Sequence, residues 1–206
     1  MFENRTDAGE QLAAVLDAHD VAVDVVLAIP RGGLPVGRVV ADALGVPLDV
    51  VAARKIGAPH NPELAIGSVA SDGTVWLNEA LIDDLSVDEA YLESQTEVER
   101  AAAEEKVSRY RADREPLNVA DERVLIVDDG VATGATTIAC IREVKNRGAA
   151  WVGLAVPVGP PDTIERLGTE ADEVVSVETP PHFGAVGQFY RDFSQVSDEE
   201  AMGYLT

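Results

Sequence analysis

Val124 to Thr137 reads VLIVDDGVATGATT, and the order of residue types in it decides the fold. Its first four residues are apolar, uninterrupted and mostly β-branched, the composition of a strand buried on both faces of a parallel sheet. Such a strand delivers Asp128 and Asp129 to its C-terminal end, the edge where open α/β sheets bind their ligands. Two adjacent carboxylates repel one another, so their natural partners are the vicinal hydroxyls of a sugar or a hydrated metal. Gly130 and Val131 then lead into Ala132, Thr133, Gly134, Ala135, Thr136 and Thr137, small or hydroxyl-bearing residues that open a helix at about Ala135. Their backbone N–H groups and hydroxyls form a phosphate cradle at the helix N-terminus. The simpler alternative for this segment is an Asp-Asp turn capping an ordinary helix.

Working outward, two further segments reach the same kind of edge. Val21 to Ile29 (VAVDVVLAI) predicts a buried strand, and Arg31, Gly32 and Gly33 follow it before a helix over about 34–44. Here the glycines are expected to permit backbone conformations closed to other residues, giving a second anion site. Residues 47–53 predict another strand, which delivers the adjacent cations Arg54 and Lys55 to its C-terminal end. The following GAPHNPELAIG has two prolines and two glycines, so residues 54–67 are expected to form a mobile loop carrying His60.

The remaining chain predicts an opening helix over 6–19 with Thr6 as its N-cap, and a hairpin turning at Ser71-Asp72-Gly73. A long, largely exposed helix to about Ala112 would open on a capping box of Ser86 and Glu89, with Glu105 and Arg109 spaced for an i,i+4 ion pair. Strands over 151–158 and 173–177 flank a helix opened by Pro161. Strands alternating with helices make one α/β domain over 1–206, a parallel twisted sheet of about five strands with flanking helices. The β-hairpin and long helix (65–114) insert into it, and a C-terminal hood (179–206) completes it. In that hood Phe183, Phe189, Tyr190 and Phe193 concentrate four of the ten aromatic residues, which suits stacking on a flat heterocycle.

Composition narrows the function classes. There are 37 acidic residues against 16 basic ones, for a net charge of −21. Only Lys55, Lys106 and Lys145 are lysines. An acidic, lysine-poor surface is expected of a protein from a high-salt cytoplasm, where a Debye length near ~3 Å at 1 M salt screens self-repulsion. No basic stripe marks a nucleic-acid surface. The single cysteine, Cys140, reads as a buried structural thiol. Without a membrane-length apolar run or a signal-peptide pattern, the expectation is a soluble cytoplasmic protein with no membrane partner.

RGG after one strand, Arg54-Lys55 after the next and DDGVATGAT after a third resemble, in order and spacing, the type I phosphoribosyltransferases. These enzymes use 5-phosphoribosyl 1-pyrophosphate (PRPP). More narrowly, RGGLPVG is similar to the loop of xanthine–guanine phosphoribosyltransferases, whereas RKIGAPHNPELAIG and VGQFYRDFSQVSDEE look like a group described only as predicted phosphoribosyltransferases. The resemblance implies that Asp128 and Asp129 hold the ribose 2′- and 3′-hydroxyls and, through substrate or water, Mg²⁺. It implies that residues 132–137 take the 5′-phosphate, that Arg31, Gly32 and Gly33 face the pyrophosphate, and that Arg54 and Lys55 share in catalysis by meeting the same group. The loop at 57–67 occupies the place of the lid. Phe183, Phe189 and Tyr190 are implied as base-binding, with a purine as the acceptor, since FGAVG is similar to the aromatic pattern of the purine enzymes. The implied activity is transfer of the phosphoribosyl group to a nitrogenous base, in a homodimer. A non-catalytic PRPP sensor on the same fold is the alternative. Gly130 and Ala132 depart from the family pattern, which usually has an aliphatic residue and a hydroxyl there.

Overall fold

In the computed structural model, which describes residues 1–206, the chain runs α1 (Arg5–Ala18), β1 (Val25–Ala28), α2 (Gly33–Leu44), β2 (Leu48–Val50), β3 (Ala53–Ala58), β4 (Asn61–Ala70), β5 (Val75–Leu77), α3 (Glu79–Leu85) and α4 (Glu89–Arg111). It continues with β6 (Arg123–Val127), α5 (Ala135–Asn146), β7 (Trp151–Val158), α6 (Pro161–Leu167), β8 (Glu173–Glu178), a 3₁₀ turn at Val186–Phe189 and α7 (Asp198–Gly203). β2, β1, β6, β7 and β8 lie in that order in one all-parallel sheet.

Alternation of side chains across this sheet explains why its strands read as unbroken apolar runs. Val26, Ala28, Leu125, Val127 and Ala155 point to the face covered by α1 and α2, where Leu12, Leu16, Leu34 and Val40 meet them. Val25, Leu27, Val124, Ile126, Leu154 and Val156 point the other way, onto Ile138, Ile141 and Val144 of α5. Both sets are buried, as in a parallel sheet covered on both faces. After β1 the chain turns outward to β2, and after β6 it turns the opposite way to β7. The reversal point between β1 and β6 is where such sheets open a crevice at their C-terminal edge.

The second, antiparallel sheet (β3-β4-β5) corrects two expectations. Residues 54–67 are not an irregular loop: β3 and β4 pair from Ala53↔Ala70 to Ala58↔Asn61, leaving only Pro59 and His60 at an exposed tip. Ile56, Ala58, Ile66 and Val69 bury one side of this hairpin against Leu81, Tyr91 and Leu92 of α3 and α4, and the Tyr91 hydroxyl donates to the Gly57 carbonyl at 2.9 Å. Gly57 serves close approach, since a Cβ there would stand 2.6 Å from the Pro62 carbonyl oxygen. Arg54 and Lys55 therefore belong to this hairpin sheet and not to the end of β2. The hairpin at Ser71–Gly73 forms as expected.

Two helix starts also differ. Asn4, not Thr6, caps α1, accepting from the Asp7 N–H at 3.0 Å. Ser86 ends α3 in the left-handed region, and α4 opens on Asp88 without a side-chain cap. The far end of α4 is fastened by Asp49 of β2, which is 2% exposed and accepts from Arg111 at 3.1 Å and from the Leu117 N–H at 3.1 Å. Arg109 and Glu105 pair at 2.8 Å as their spacing predicts, and Cys140 is buried. No helix is long and apolar enough to cross a membrane.

One buried acid on α5 has no complete set of partners. Glu143 is 4% exposed; one oxygen accepts from the Ser71 hydroxyl at 3.1 Å and the other has no hydrogen-bond partner. Burial, with Asp72 adding to it, pushes its carboxyl from the ordinary 4.5 up to about 7. A carboxyl raised on folding contributes stability that is complete below about 4.5 and is lost as pH rises through about 7. Glu143→Gln should therefore gain on the parent by roughly 2–3 kcal/mol between pH 5 and pH 8. Urea unfolding of both proteins at the two pH values measures it, and parallel curves would show that Glu143 is ionised in the fold at both.

Candidate functional site

Asp128 and Asp129 follow β6 directly, and the turn after β1 packs onto them. A Cβ on Gly32 would lie 1.9 Å from the Asp129 carboxylate, and one on Gly33 would lie 2.8 Å from the Val127 carbonyl and 3.1 Å from an Asp128 oxygen. Gly32 has an ordinary helical φ of −61°. These glycines are thus required by close approach, and not by the unusual backbone conformation expected from the sequence.

Adjacent buried carboxylates raise one another's pKa. Asp128 is held well above the carboxylate range by burial and then by Asp129, while its own Oδ1 accepts the Asp129 N–H at 2.8 Å. Asp129 is also raised by burial, but Arg5 opposes the shift. Arg5 Nε donates to Asp129 Oδ2 at 2.8 Å, its Nη1 donates to the Ser194 carbonyl at 2.8 Å, and its guanidinium lies 4.0 Å from the centre of the Phe193 ring. One carboxylate of the pair is consequently engaged by the chain itself, and Asp128 is the one left open. Nothing in the sequence around Arg5 singles it out; it acts across 124 residues.

Beyond the acids, α5 opens at Ala135, where the sequence places its start. Gly134 takes a left-handed φ of 71° before α5, and Ala132 and Thr133 are exposed at the edge. Thr163 and Arg166 of α6 bind the Ala132 and Thr133 carbonyls, and Ser68 of β4 binds the Ala135 carbonyl at 2.6 Å. The loop's carbonyls are thereby engaged by α6 and β4. Thr137 is 2% exposed, so its hydroxyl is packed under the helix and does not reach the cradle.

The cations are distributed differently from expectation. Arg31 is half-buried at the β1 turn, and Arg54, on β3, donates to Glu99 of α4 at 2.9 Å. Lys55 is exposed. The long helix, expected to be largely exposed, supplies a further cation: Lys106 donates to the Pro30 carbonyl at 2.7 Å, next to Arg31. Burial holds its ammonium below the ordinary lysine range, with Arg54 acting in the same direction and Asp128 against it. Its scarcity, one of three lysines, was the only signal the sequence carried.

In the hood, Phe183 and Phe189 stack with centroids 5.2 Å apart and planes at 21°, both half-buried. Tyr190 is not a candidate for base binding. It is buried, its ring lies 5.2 Å from that of Phe2, and its hydroxyl donates to the Asp129 carbonyl at 2.6 Å. Gly130, with φ of 154°, lies under this hood; a Cβ there would meet Val186 at 2.6 Å. Its departure from an aliphatic residue follows from that contact.

No group of three or more His, Cys, Asp or Glu side chains is placed to hold a metal ion. The donor chemistry fits a hard cation carried mainly by substrate oxygens and water, with the open Asp128 as the protein's contribution.

A family model described as a phosphoribosyl transferase domain matches residues 3–194. The chain belongs to the phosphoribosyl transferase family. A Mycobacterium tuberculosis protein provisionally named a phosphoribosyl transferase is 42% identical over 205 residues, all of this chain and 46% of that protein. The chain thus spans about half the length of the curated relatives it matches. The crystal structure of the protein TT1426 from Thermus thermophilus is 41% identical and covers 99% of this chain and 97% of its own, with a TM-score of 0.84. A hypothetical protein from Neisseria gonorrhoeae, solved with bound ppGpp, is 15% identical with a TM-score of 0.53 over 100% of this chain and 94% of its own, a likeness of fold alone. In this chain the phosphoribosyl transferase domain is built as a five-stranded parallel sheet with flanking helices.

Arg5 is the contact on which this site can be tested without any ligand. Arg5→Met keeps the stem over Phe193 but leaves Asp129 buried without its counter-ion, a loss expected near ~3 kcal/mol, the lower end for breaking a buried pair. Urea unfolding should show the loss in full at pH 8 and a smaller one at pH 5, where Asp129 can take up a proton. Equal stability to the parent at pH 8 would make Arg5 a surface residue.

Proposed function

We propose that this protein transfers the 5-phosphoribosyl group of PRPP to a nitrogenous base and releases pyrophosphate. The observation that carries the reading is the meeting of the Arg31-Gly32-Gly33 turn with Asp128-Asp129 at the crevice between β1 and β6. In this reaction the bond from the ribose C1 to a pyrophosphate oxygen breaks and its electron pair leaves with the pyrophosphate. A lone pair on a ring nitrogen of the acceptor forms the new bond to C1, and the proton of that nitrogen passes to solvent. Positive charge gathers on the sugar and negative charge on the leaving group, so the protein's task is to stabilise the latter and orient the former.

Each part of the site has a role in this reading. Asp128 holds the ribose diol, while Asp129, fixed by Arg5, shapes the crevice and holds the turn at Gly32. The amides of residues 132–136 take the 5′-phosphate. Arg31 and Arg54 face the leaving pyrophosphate, and bound Mg²⁺ would supply further positive charge to its oxygens. The β3–β4 hairpin, with its tip at Pro59 and His60, stands where a lid against water is needed. A purine is the acceptor we favour, stacked on the Phe183–Phe189 pair.

Incubation with Mg²⁺, PRPP and a panel of purine and pyrimidine bases tests the activity by pyrophosphate release. The parent should turn over with at least one base, and Asp128→Asn should lose Mg·PRPP binding by at least ~10²-fold in calorimetry, the scale of removing a group that holds the reacting centre. Binding without release would favour a PRPP sensor, and parent-like affinity in Asp128→Asn would move the diol site elsewhere. Phe183→Ala should weaken the acceptor by roughly 1–3 kcal/mol, the range for removing an aromatic from beneath a nucleobase, and leave PRPP affinity unchanged. Equal losses for both ligands would make Phe183 a packing residue of the hood.

A further inference from the structure

Between α4 and the turn after β1 lies a cleft of about 350 Å³ whose lining includes four cations, Arg31, Arg54, Lys106 and Arg109, with Tyr110 and two acids, Glu105 and Asp198. In a protein with 16 basic residues against 37 acidic ones, four cations on one small cleft are a concentration of like charge. Glu99 pairs with Arg54 at 2.9 Å and Glu105 with Arg109 at 2.8 Å, whereas Lys106 has no carboxylate partner. One further acid reaches into the cleft. Asp198, in the first turn of α7, accepts from the Tyr110 hydroxyl at 2.5 Å and pairs with Arg109 at 3.2 Å and with Arg31 at 3.6 Å. The Tyr110 hydrogen bond, then Arg109 and Arg31, hold its carboxyl below the usual range. Lys106 spends one N–H donor on the Pro30 carbonyl, and the ammonium carries two more. The Asp198 carboxylate is also partly exposed, so its ion pairs are open to exchange with solutes.

Resting on the PRPP reading above, we propose that Lys106 and Arg109 of α4 complete the seat of the leaving pyrophosphate with Arg31 and Arg54, and that Asp198 is the resident counter-ion which the pyrophosphate displaces. The hairpin-and-helix insertion then contributes cations of its own to the leaving group. One charge of the incoming ligand is spent in competing with Asp198, and its arrival frees the start of α7.

Calorimetry with inorganic pyrophosphate and Mg²⁺ tests this on the full chain. Asp198→Asn removes the competing charge but can still accept from Tyr110, so the fold is preserved; it should bind pyrophosphate about tenfold more tightly, the effect expected of removing one close like charge. Arg109→Gln, a half-exposed change, should bind about tenfold more weakly. Lys106→Met should lower kcat more than it raises the KM for PRPP, and Lys106→Arg should restore part of kcat. In the parent, pyrophosphate should speed amide exchange over residues 198–203. If the parent binds Mg·PRPP and pyrophosphate while Asp198→Asn binds no more tightly, this proposal fails and the PRPP reading stands. If the parent binds neither, both fail.

Discussion

Two neighbouring carboxylates held at the dry end of a sheet are the constraint to which the rest of this structure answers. Asp128 and Asp129 follow a strand whose side chains are buried on both faces, so neither charge can retreat into the core and neither is fully hydrated. The protein meets this with cations brought from a distance: Arg5 from the first turn of α1, bonded to Asp129, and Lys106 from α4, near enough for its charge to act on Asp128. Gly32 and Gly33 follow from the same constraint, because the β1 turn approaches so closely that a single methyl group would strike a carboxylate oxygen or the β6 backbone.

The antiparallel sheet and long helix inserted between β2 and β6 are tied into this arrangement at both ends. Asp49 of β2 anchors the end of α4 through Arg111 and the Leu117 amide, and Ser68 of β4 holds the carbonyl at the start of α5. An element that reads in sequence as an exposed, charged helix is thereby registered against the sheet. Its cations acquire fixed positions because its ends are fixed, and a surface helix free at either end would not place Lys106 against the Pro30 carbonyl.

What was legible in the sequence was what depends on local pattern. VLIV, followed by two acids and a run of small residues, specified strand, edge and helix start through burial on both faces and the needs of α5's first turn. RGG specified the facing turn, though for the wrong reason, since close approach to Asp129 leaves no mark in the φ preference of Gly32. The β3–β4 hairpin was hidden because two prolines and two glycines interrupt its pattern, while the apolar residues that decide it, Ile56, Ala58, Ile66 and Val69, are spread over two strands and find their partners on α3 and α4. Tyr190 was misread because an aromatic in an irregular segment looks the same whether its ring faces a ligand or Phe2. Arg5 and Lys106 were out of reach altogether: a partner more than 70 residues away has no local signature.

The route of the Arg5 side chain also bears on how the molecule is made. Its two hydrogen bonds close loops of 124 and 189 residues, among the least local contacts in the chain, and contacts of that kind form late because their closure entropy is met only after the local structure exists. Strands β1, β6 and β7 precede the hood in the chain, whereas the Arg5 side chain is held on its far side by Ser194 and Phe193. During synthesis, therefore, the strand bearing the acids is complete well before the residues that secure its counter-ion have been added. A nascent chain at that stage holds the strand bearing the two acids while the Arg5 side chain still lacks its backing from Ser194 and Phe193.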